Sequence, residues 1–447
     1  MRTNRSPSSP LYEGTTHEGA PARKLTDEQM LRRSVMACLL FEGEFYENGQ
    51  QISSRIASLV PTVAPEKVAA LAIEARTRMH LRHVPLLLVR EMARASKEHR
   101  ALVAATLEAV IQRADELAEF VAIYWKQKKQ PLSAQVKKGL ARAFQKFDAY
   151  QLAKWNRDHA VRLRDVLFLT HAKPRDDQQA ADWKALAEKA LAAPDTWEVS
   201  LSATKGENKR EAWERLLTER KLGPLALIRN LRNFVECQVP DTLVRDALKD
   251  CKPDRVLPFR FLAAVRHAPS YAMELEGLMF RNLADQEKLP GRTMLLVDVS
   301  GSMDFQLSAR SEMRRMDAAA GLAVLAREVC ASVRVFSFSK LCVEVPAYRG
   351  LALAEAIVKS QENLGTLTAD AVNRVNQFPY DRLIMITDEQ SRQPLPDPAG
   401  RGYCVNVASA KPGLGYGAWH HIDGWSDAVL TYVRENERAP ETERASE

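Results

Sequence analysis

The stretch Leu295-Leu296-Val297-Asp298-Val299-Ser300-Gly301-Ser302-Met303 is an apolar strand that runs straight into Asp-x-Ser-x-Ser. Side chains in extended backbone repeat every two residues, so Asp298, Ser300 and Ser302 fall on one side. They sit where a strand ends, and an open α/β sheet presents its crevice at the carboxyl ends of its strands. One carboxylate and two hydroxyls suit a hard divalent cation such as Mg²⁺, which keeps several waters and needs few protein ligands. Two later features extend the set: Thr366, in the polar turn Gly365-Thr366 ahead of a helical segment, and Asp388, at the end of the apolar run Leu383-Ile384-Met385-Ile386-Thr387.

Between these points the chain alternates. A strand over 293–297 is followed by an amphipathic helix over about 316–330, a strand over 332–338 and a short strand over 342–345. Helices over 351–358 and 369–378 lead to a strand over 383–387; a last strand over 403–407 precedes a helix from about 424 to 434. Strands alternating with helices predict a doubly wound α/β sheet. Asp298, Ser300, Ser302, Thr366 and Asp388 then converge from three loops on one edge.

From Leu25 to about His267 apolar residues recur at helical spacing instead. Helices are expected to open at Thr26-Asp27 and Pro65-Glu66. Further ones are expected over 86–95, 101–114, 117–124, 133–147, 163–169, 178–191, 210–217 and 225–237. Short loops between them fit stacked antiparallel helix pairs, an all-α solenoid of HEAT type, or an ordinary helical bundle. No strict period is visible.

A chain of 447 residues with 46% hydrophobic residues is expected to hold two or three domains. Its net charge of +7 is unevenly spread: residues 1–290 carry 47 basic and 37 acidic side chains, and residues 291–447 carry 17 and 20. The segment Lys126–Lys173 alone holds 12 basic and 3 acidic residues. Such a patch attracts polyanions, nucleic acid first among them. In the helix expected over 133–147, Val136, Leu140, Phe144 and Phe147 face one side while Lys138, Arg142 and Lys146 follow at four-residue spacing on the other. Lys137, Arg162 and Arg164 join this set by charge and helical facing. Lysine and arginine supply phosphate contacts, which set affinity and salt dependence.

The six cysteines, Cys38, Cys237, Cys251, Cys330, Cys342 and Cys404, form no Cys-x-x-Cys pair, so buried thiols are expected rather than a disulfide framework or a zinc site. Met1 to Pro10 lacks the apolar run of a signal peptide, and no apolar stretch is long enough to span a membrane; a cytoplasmic protein is the expectation. No nuclease constellation, P-loop or nucleophile elbow is found, and no catalysis is expected. His420-His421 are adjacent on an expected extended segment and face opposite sides, which argues against a metal shared between them.

The Asp-x-Ser-x-Ser strand end, Gly365-Thr366 and Asp388 resemble the von Willebrand factor A domain with its metal-ion-dependent adhesion site, over roughly 288–440. The resemblance implies a Rossmann-like sheet holding Mg²⁺ or another divalent cation. It implies that Ser300, Ser302 and Thr366 touch the metal, that Asp298 and Asp388 act through water, and that a partner carboxylate completes the sphere. Leu364 stands where many members have glycine.

Upstream, His17-Glu18-Gly19-Ala20, Leu31-Arg32-Arg33-Ser34-Val35-Met36, Phe45-Tyr46, His171-Ala172-Lys173-Pro174, Ala226-Leu227-Ile228-Arg229-Asn230-Leu231 and Pro258-Phe259-Arg260 resemble the TROVE domain of the Ro autoantigen family. Their order, followed by the A-type segment, is similar to that of bacterial Ro-like proteins. The resemblance implies a flexible tail over 1–15, a HEAT-like helical ring over 16–287, the A-type domain over 288–440 closing that ring, and a flexible tail over 441–447.

It also implies a monomer that binds small noncoding Y RNA on the ring surface and single-stranded 3′ ends of misfolded RNA in its hole, for RNA quality control and stress survival. An exoribonuclease or another acidic protein is the implied partner. Lys154 and His171 match RNA-binding positions of relatives, and Arg157 lies close to a third. The alternative from the A-type domain is a metal-dependent protein-binding adaptor.

Overall fold

The structure is a computed structural model. It describes residues 12–15, 21–23, 25–37, 49–126, 128–156, 159–192, 197, 209–253, 256, 259–284, 287–306, 313–391, 393–408, 414, 417–424 and 428–438. The chain divides into two compact units, one of residues 27–35 and 50–205, the other of residues 1–26, 36–49 and 206–447.

The first unit is helical. α1 (Asp27–Ala37) and α2 (Gly49–Leu59) are followed by α3 (Pro65–Thr77), α4 (His83–Met92), α5 (Lys97–Val110) and α6 (Asp115–Trp125). Then come α7 (Ala134–Phe144), α8 (Ala149–Trp155), α9 (Leu163–Thr170) and α10 (Asp177–Ala187). α3 packs on α4 and α5, α5 on α7, and α7 on α9; α4 also packs on α6, and α6 on α9. Helices that pack on their next-but-one neighbour form a stack, with apolar stripes such as Val136, Leu140, Ala143 and Phe144 turned inward.

Starts are fixed locally. Ser96 and Ser133 accept hydrogen bonds from the third residue beyond them, and Asp148 makes a reciprocal capping box with Gln151. The α5–α7 crossing is close enough to require glycine, since a Cβ at Gly139 would lie 2.9 Å from the Ala104 carbonyl oxygen.

At the heart of this unit Arg76 of α3 reaches Glu116 of α6 (2.8 Å) and the Val110 carbonyl that ends α5 (3.1 Å). The other oxygen of Glu116 accepts the N–H groups of Gln112 and Arg113 at 2.8 and 3.0 Å. Glu116 is fully buried and Arg76 nearly so. Three helix ends are tied by one charged pair.

The second unit opens with a two-stranded antiparallel pairing of β1 (Tyr12–Thr15) and β2 (Pro21–Arg23), so strand pairing begins within the segment expected to be a tail. Helices follow over Lys209–Thr218, Pro224–Arg229, Leu231–Glu236, Asp241–Asp250, Phe259–His267 and Ala272–Ala284. The single helix expected over 225–237 is two. The break falls at Asn230, whose side chain donates back to the Ala226 carbonyl at 2.8 Å.

A six-stranded sheet completes the unit: β3 (Leu289–Asp298), β4 (Cys330–Phe338), β5 (Cys342–Val345), β6 (Arg382–Thr387), β7 (Arg401–Asn406) and β8 (Trp419–Asp423). Its order is β5-β4-β3-β6-β7-β8, all parallel except β5. The doubly wound expectation holds, with one correction: β7 is not the last strand. β8 follows it at the edge, and its Trp-His-His-Ile-Asp run lacks the apolar alternation that marks a strand.

β3 and β6 are buried on both faces at their carboxyl halves. Helix Thr368–Val375 packs on the face formed by Met294, Leu296, Leu383, Met385 and Cys404. Helix Arg315–Val329 packs against β3, β4, helix Gly350–Val358 and the helices over 259–284. Glu276 accepts the Leu351 N–H at 2.8 Å, and its carboxylate fills the space beside Gly350, whose φ of +55° and lack of a Cβ are both required.

Candidate functional site

β3 connects to β4 on one side of the sheet, while β6 lies on the other, so the β3–β6 boundary is the point where the winding reverses. Crevices in such sheets open there. Asp298 ends β3 and Asp388 follows β6, both fully buried. The Ser300 N–H donates to Asp298 Oδ1 at 2.9 Å, and Thr387 Oγ1 donates to Oδ2 at 2.6 Å, which fixes the carboxylate at both oxygens. Ser300 Oγ and Ser302 Oγ lie 3.3 Å apart on the turn beyond.

The threonine loop is held by Ser339, at the end of β4. Its hydroxyl meets the carbonyls of Leu364 and Gly365 at 2.8 and 3.1 Å, and its carbonyl accepts the Leu367 N–H at 2.9 Å. The same loop abuts the serine turn, for a Cβ on Gly301 would meet the Asn363 carbonyl at 3.3 Å. Thr366 sits half-buried in this loop, and Gly365 absorbs a φ of +69°. Asp298, Ser300 and Ser302 thus lie at or beyond the end of β3 and Asp388 beyond the end of its neighbour β6, while Thr366 lies in a helix–helix loop tethered to the end of β4.

Electrostatics fit a cation. Burial first, and the Asp388 carboxylate second, push the Asp298 carboxyl up to about 7. Two buried carboxylates with two hydroxyls beside them are an oxygen-rich set suited to Mg²⁺. One residue here was not foreseen. Arg315, at the start of its helix and almost fully buried, places Nη1 3.4 Å from Asp388 Oδ2 and 3.4 Å from the Ser302 carbonyl. It supplies positive charge to the acidic pair from inside the protein. Nothing in the local pattern distinguishes this arginine from its neighbour Arg314.

A Mg²⁺ ion held here would require Asp298 to be ionised, so its affinity would rise with pH, by up to about tenfold per unit below 7. The sign for stability is opposite. The folded metal-free protein keeps a proton that the unfolded chain loses near 3.8, so stability falls as pH rises from about 4 to about 7. Titration calorimetry with Mg²⁺ and thermal melts in EDTA across this range check both; a flat pH response would contradict the buried-pair electrostatics.

The basic candidates all lie in the helical unit. Lys138 and Arg142 are exposed on α7, Lys137 is half-exposed beside them, and Arg142 lies 3.5 Å from Glu108. Lys146 leaves the expected row. α7 ends at Phe144, and the Lys146 ammonium donates to the carbonyls of Glu108 and Ile111, capping the end of α5; burial pulls its pKa down. It is a packing residue before it is a phosphate ligand.

Lys154, on α8, lies 5.6 Å from the Trp155 ring, and the Arg113 guanidinium covers that ring at 3.7 Å. Arg162 precedes α9 and Arg164 lies in its first turn; the Arg162 N–H donates to Asp165 at 2.9 Å. His171 ends α9 in the left-handed conformation (φ +50°) with its side chain exposed. Arg157 lies outside the described residues. Sequence reasoning missed Phe168, which is 60% exposed on α9 and lines a groove with Trp125, Lys129 and Pro131. No local sequence signal marks it, since its exposure and its place beside Lys129 arise only in the fold.

Among the described residues a second cluster emerges on the β6–β8 side of the sheet. Glu389, Cys404 and His421 are all buried, with ligand atoms within 4.8 Å of one another. His420 points the other way and stacks on Tyr403, as adjacent strand residues must.

Residues 182–276 match the family model of the TROVE domain. No curated protein sequence matches the chain. Among solved structures, the chain is similar to the Ro (RSR) protein of Deinococcus radiodurans, with a TM-score of 0.61 at 18% identity, over 92% of this chain and 100% of that one. The chain thus carries a TROVE segment over residues 182–276, and its fold is similar to that of a bacterial Ro protein.

Proposed function

We propose that the chain is an RNA-binding protein of the Ro type. The TROVE match over 182–276 carries this reading. The 12 basic and 3 acidic residues of Lys126–Lys173 support it, because phosphate contacts provide the sequence-independent part of RNA affinity. Lys137, Lys138, Arg142, Lys154, Arg162, Arg164 and His171 contact a small structured noncoding RNA of the Y type. Phe168 and Trp125 offer stacking surfaces for unpaired bases. Single-stranded ends of misfolded RNA enter the hole of a ring closed by an A-type domain, and the role is RNA quality control and stress response in the cytoplasm, without catalysis by the chain itself.

The Asp298–Asp388 pair favours a second, compatible activity, capture of an acidic protein such as an exoribonuclease. A bound Mg²⁺ would supply a Lewis-acidic position for the partner's carboxylate. Asp298, Ser300, Ser302, Thr366 and Asp388 would hold it, and Arg315 and Thr387 orient the two aspartates.

Purification from cells with and without RNase treatment tests the main reading. The untreated protein is expected to carry a nucleic-acid absorbance that RNase removes, and sequencing of the bound fraction is expected to return small structured RNA. Protein free of nucleic acid at low salt, with no affinity for added structured RNA, would overturn the reading.

A further inference from the structure

We propose that Glu389, Cys404 and His421 form a second metal site, selective for Zn²⁺ or a similar borderline ion and separate from the oxygen-lined aspartate pair. The three residues come from three neighbouring strands, Cys404 and His421 from within β7 and β8 and Glu389 from just beyond the end of β6. Cys404 of β7 and His421 of β8 are direct partners in the parallel register, so their side chains project from the same face. That is the face carrying Met385 and Trp419, which surrounds the cluster with apolar groups. Glu389 follows β6 and completes the set from the neighbouring strand.

The backbone supports a purpose for this geometry. Glu389 has a φ of +60°, a left-handed conformation that side chains with a Cβ adopt at a cost. Such outliers persist where the surroundings require the side chain in one place. Here the chain turns its acidic side chain into the protein directly after Asp388. Consecutive carboxylates thereby serve different environments: Asp388 meets Arg315, and Glu389 meets Cys404 and His421.

The spacing suits an ion. Cys404 Sγ lies 3.4 Å from Glu389 Oε1. A tetrahedral Zn²⁺ with bonds of about 2.3 Å to sulfur and about 2.0 Å to oxygen holds those atoms about 3.5 Å apart. His421 Nδ1 already touches the same oxygen, and the ion would widen that contact to about 3.3 Å. The Leu414 N–H donates to Oε2 at 3.2 Å, orienting the carboxylate from behind.

Charge points the same way. A thiolate, a carboxylate and a neutral imidazole around a divalent ion give a neutral buried site. Binding releases the thiol proton to solvent. One sulfur, one nitrogen and one oxygen ligand select Zn²⁺ over Mg²⁺, so the two sites sort their ions by ligand hardness.

The test uses the tag-free full-length protein in excess Mg²⁺, titrated with Co²⁺. A thiolate-to-Co²⁺ charge-transfer band is expected to saturate at one equivalent and to vanish on addition of Zn²⁺. The band should be lost in Cys404→Ala and strongly weakened in His421→Gln, yet retained in Asp298→Ala. Absence of a band in the wild type, or its survival in Cys404→Ala, overturns the proposal. Zinc-edge X-ray absorption on the wild-type protein needs no variant. A shell containing one sulfur is expected, and a shell of oxygen and nitrogen only overturns the site.

Discussion

Changing Lys138, Arg142 and Lys154 together to glutamate is expected to lower affinity for a small structured RNA about 100-fold or more at moderate salt. Each lost phosphate contact removes counterion release, so the slope of log affinity against log salt should also flatten by about 2. The three side chains lie on α7 and α8; Lys138 and Arg142 are exposed, and Lys154 is half-exposed. Lys146→Met provides the contrast. Because that ammonium caps α5, its loss should cost about 1 kcal/mol of stability and leave the salt slope nearly unchanged. Gel-shift salt titrations and denaturant melts on both variants decide the matter. Full RNA affinity in the triple variant would show that this face does not meet RNA.

Glu116→Ala should destabilise the helical unit by about 3–5 kcal/mol, the usual cost of leaving one member of a buried ion pair behind. Arg76 would remain buried without its carboxylate, and the N–H groups of Gln112 and Arg113 would lose their acceptor. Since α3, α5 and α6 meet at this point, the loss should appear as a lower unfolding midpoint in urea. The slope of the transition should hold steady, as expected when stability changes but the exposed surface does not. Isosteric Glu116→Gln should be milder, because the amide oxygen can still accept the N–H groups of Gln112 and Arg113. A loss below about 1 kcal/mol for Glu116→Ala would mean the pair is dispensable for the packing of these helices.

Neither effect follows from sequence periodicity. The apolar stripes of α3, α5 and α7 were legible because a helix repeats every 3.6 residues and its core face writes that period into the chain. Arg76 and Glu116 were not, since they are 40 positions apart and each resembles an ordinary surface charge. The helices over 241–250, 259–267 and 272–284 were also not read as separate elements. In the first of them the buried apolar positions are few, Val244, Ala247 and Leu248.

The aspartate site was legible for the opposite reason. Asp298, Ser300 and Ser302 are fixed by local spacing on one strand end, and Thr366 and Asp388 each follow a recognisable turn or apolar run. Arg315 escaped notice because its approach to Asp388 exists only after helix and sheet have packed.

By itself the sequence determined the class of each part, helical from Leu25 to about His267 and strand–helix alternating from about residue 293, and it placed hard oxygen side chains at the end of β3. It also determined where positive charge accumulates, since composition survives folding unchanged. Only the tertiary structure decided which charges also hold helices together, as the engagement of Lys146 with the α5 carbonyls shows. It alone brought Glu389, Cys404 and His421 into one buried cluster. Register between parallel strands is set by packing on both faces of the sheet. No local pattern can therefore announce that a cysteine and a histidine 17 residues apart will lie side by side.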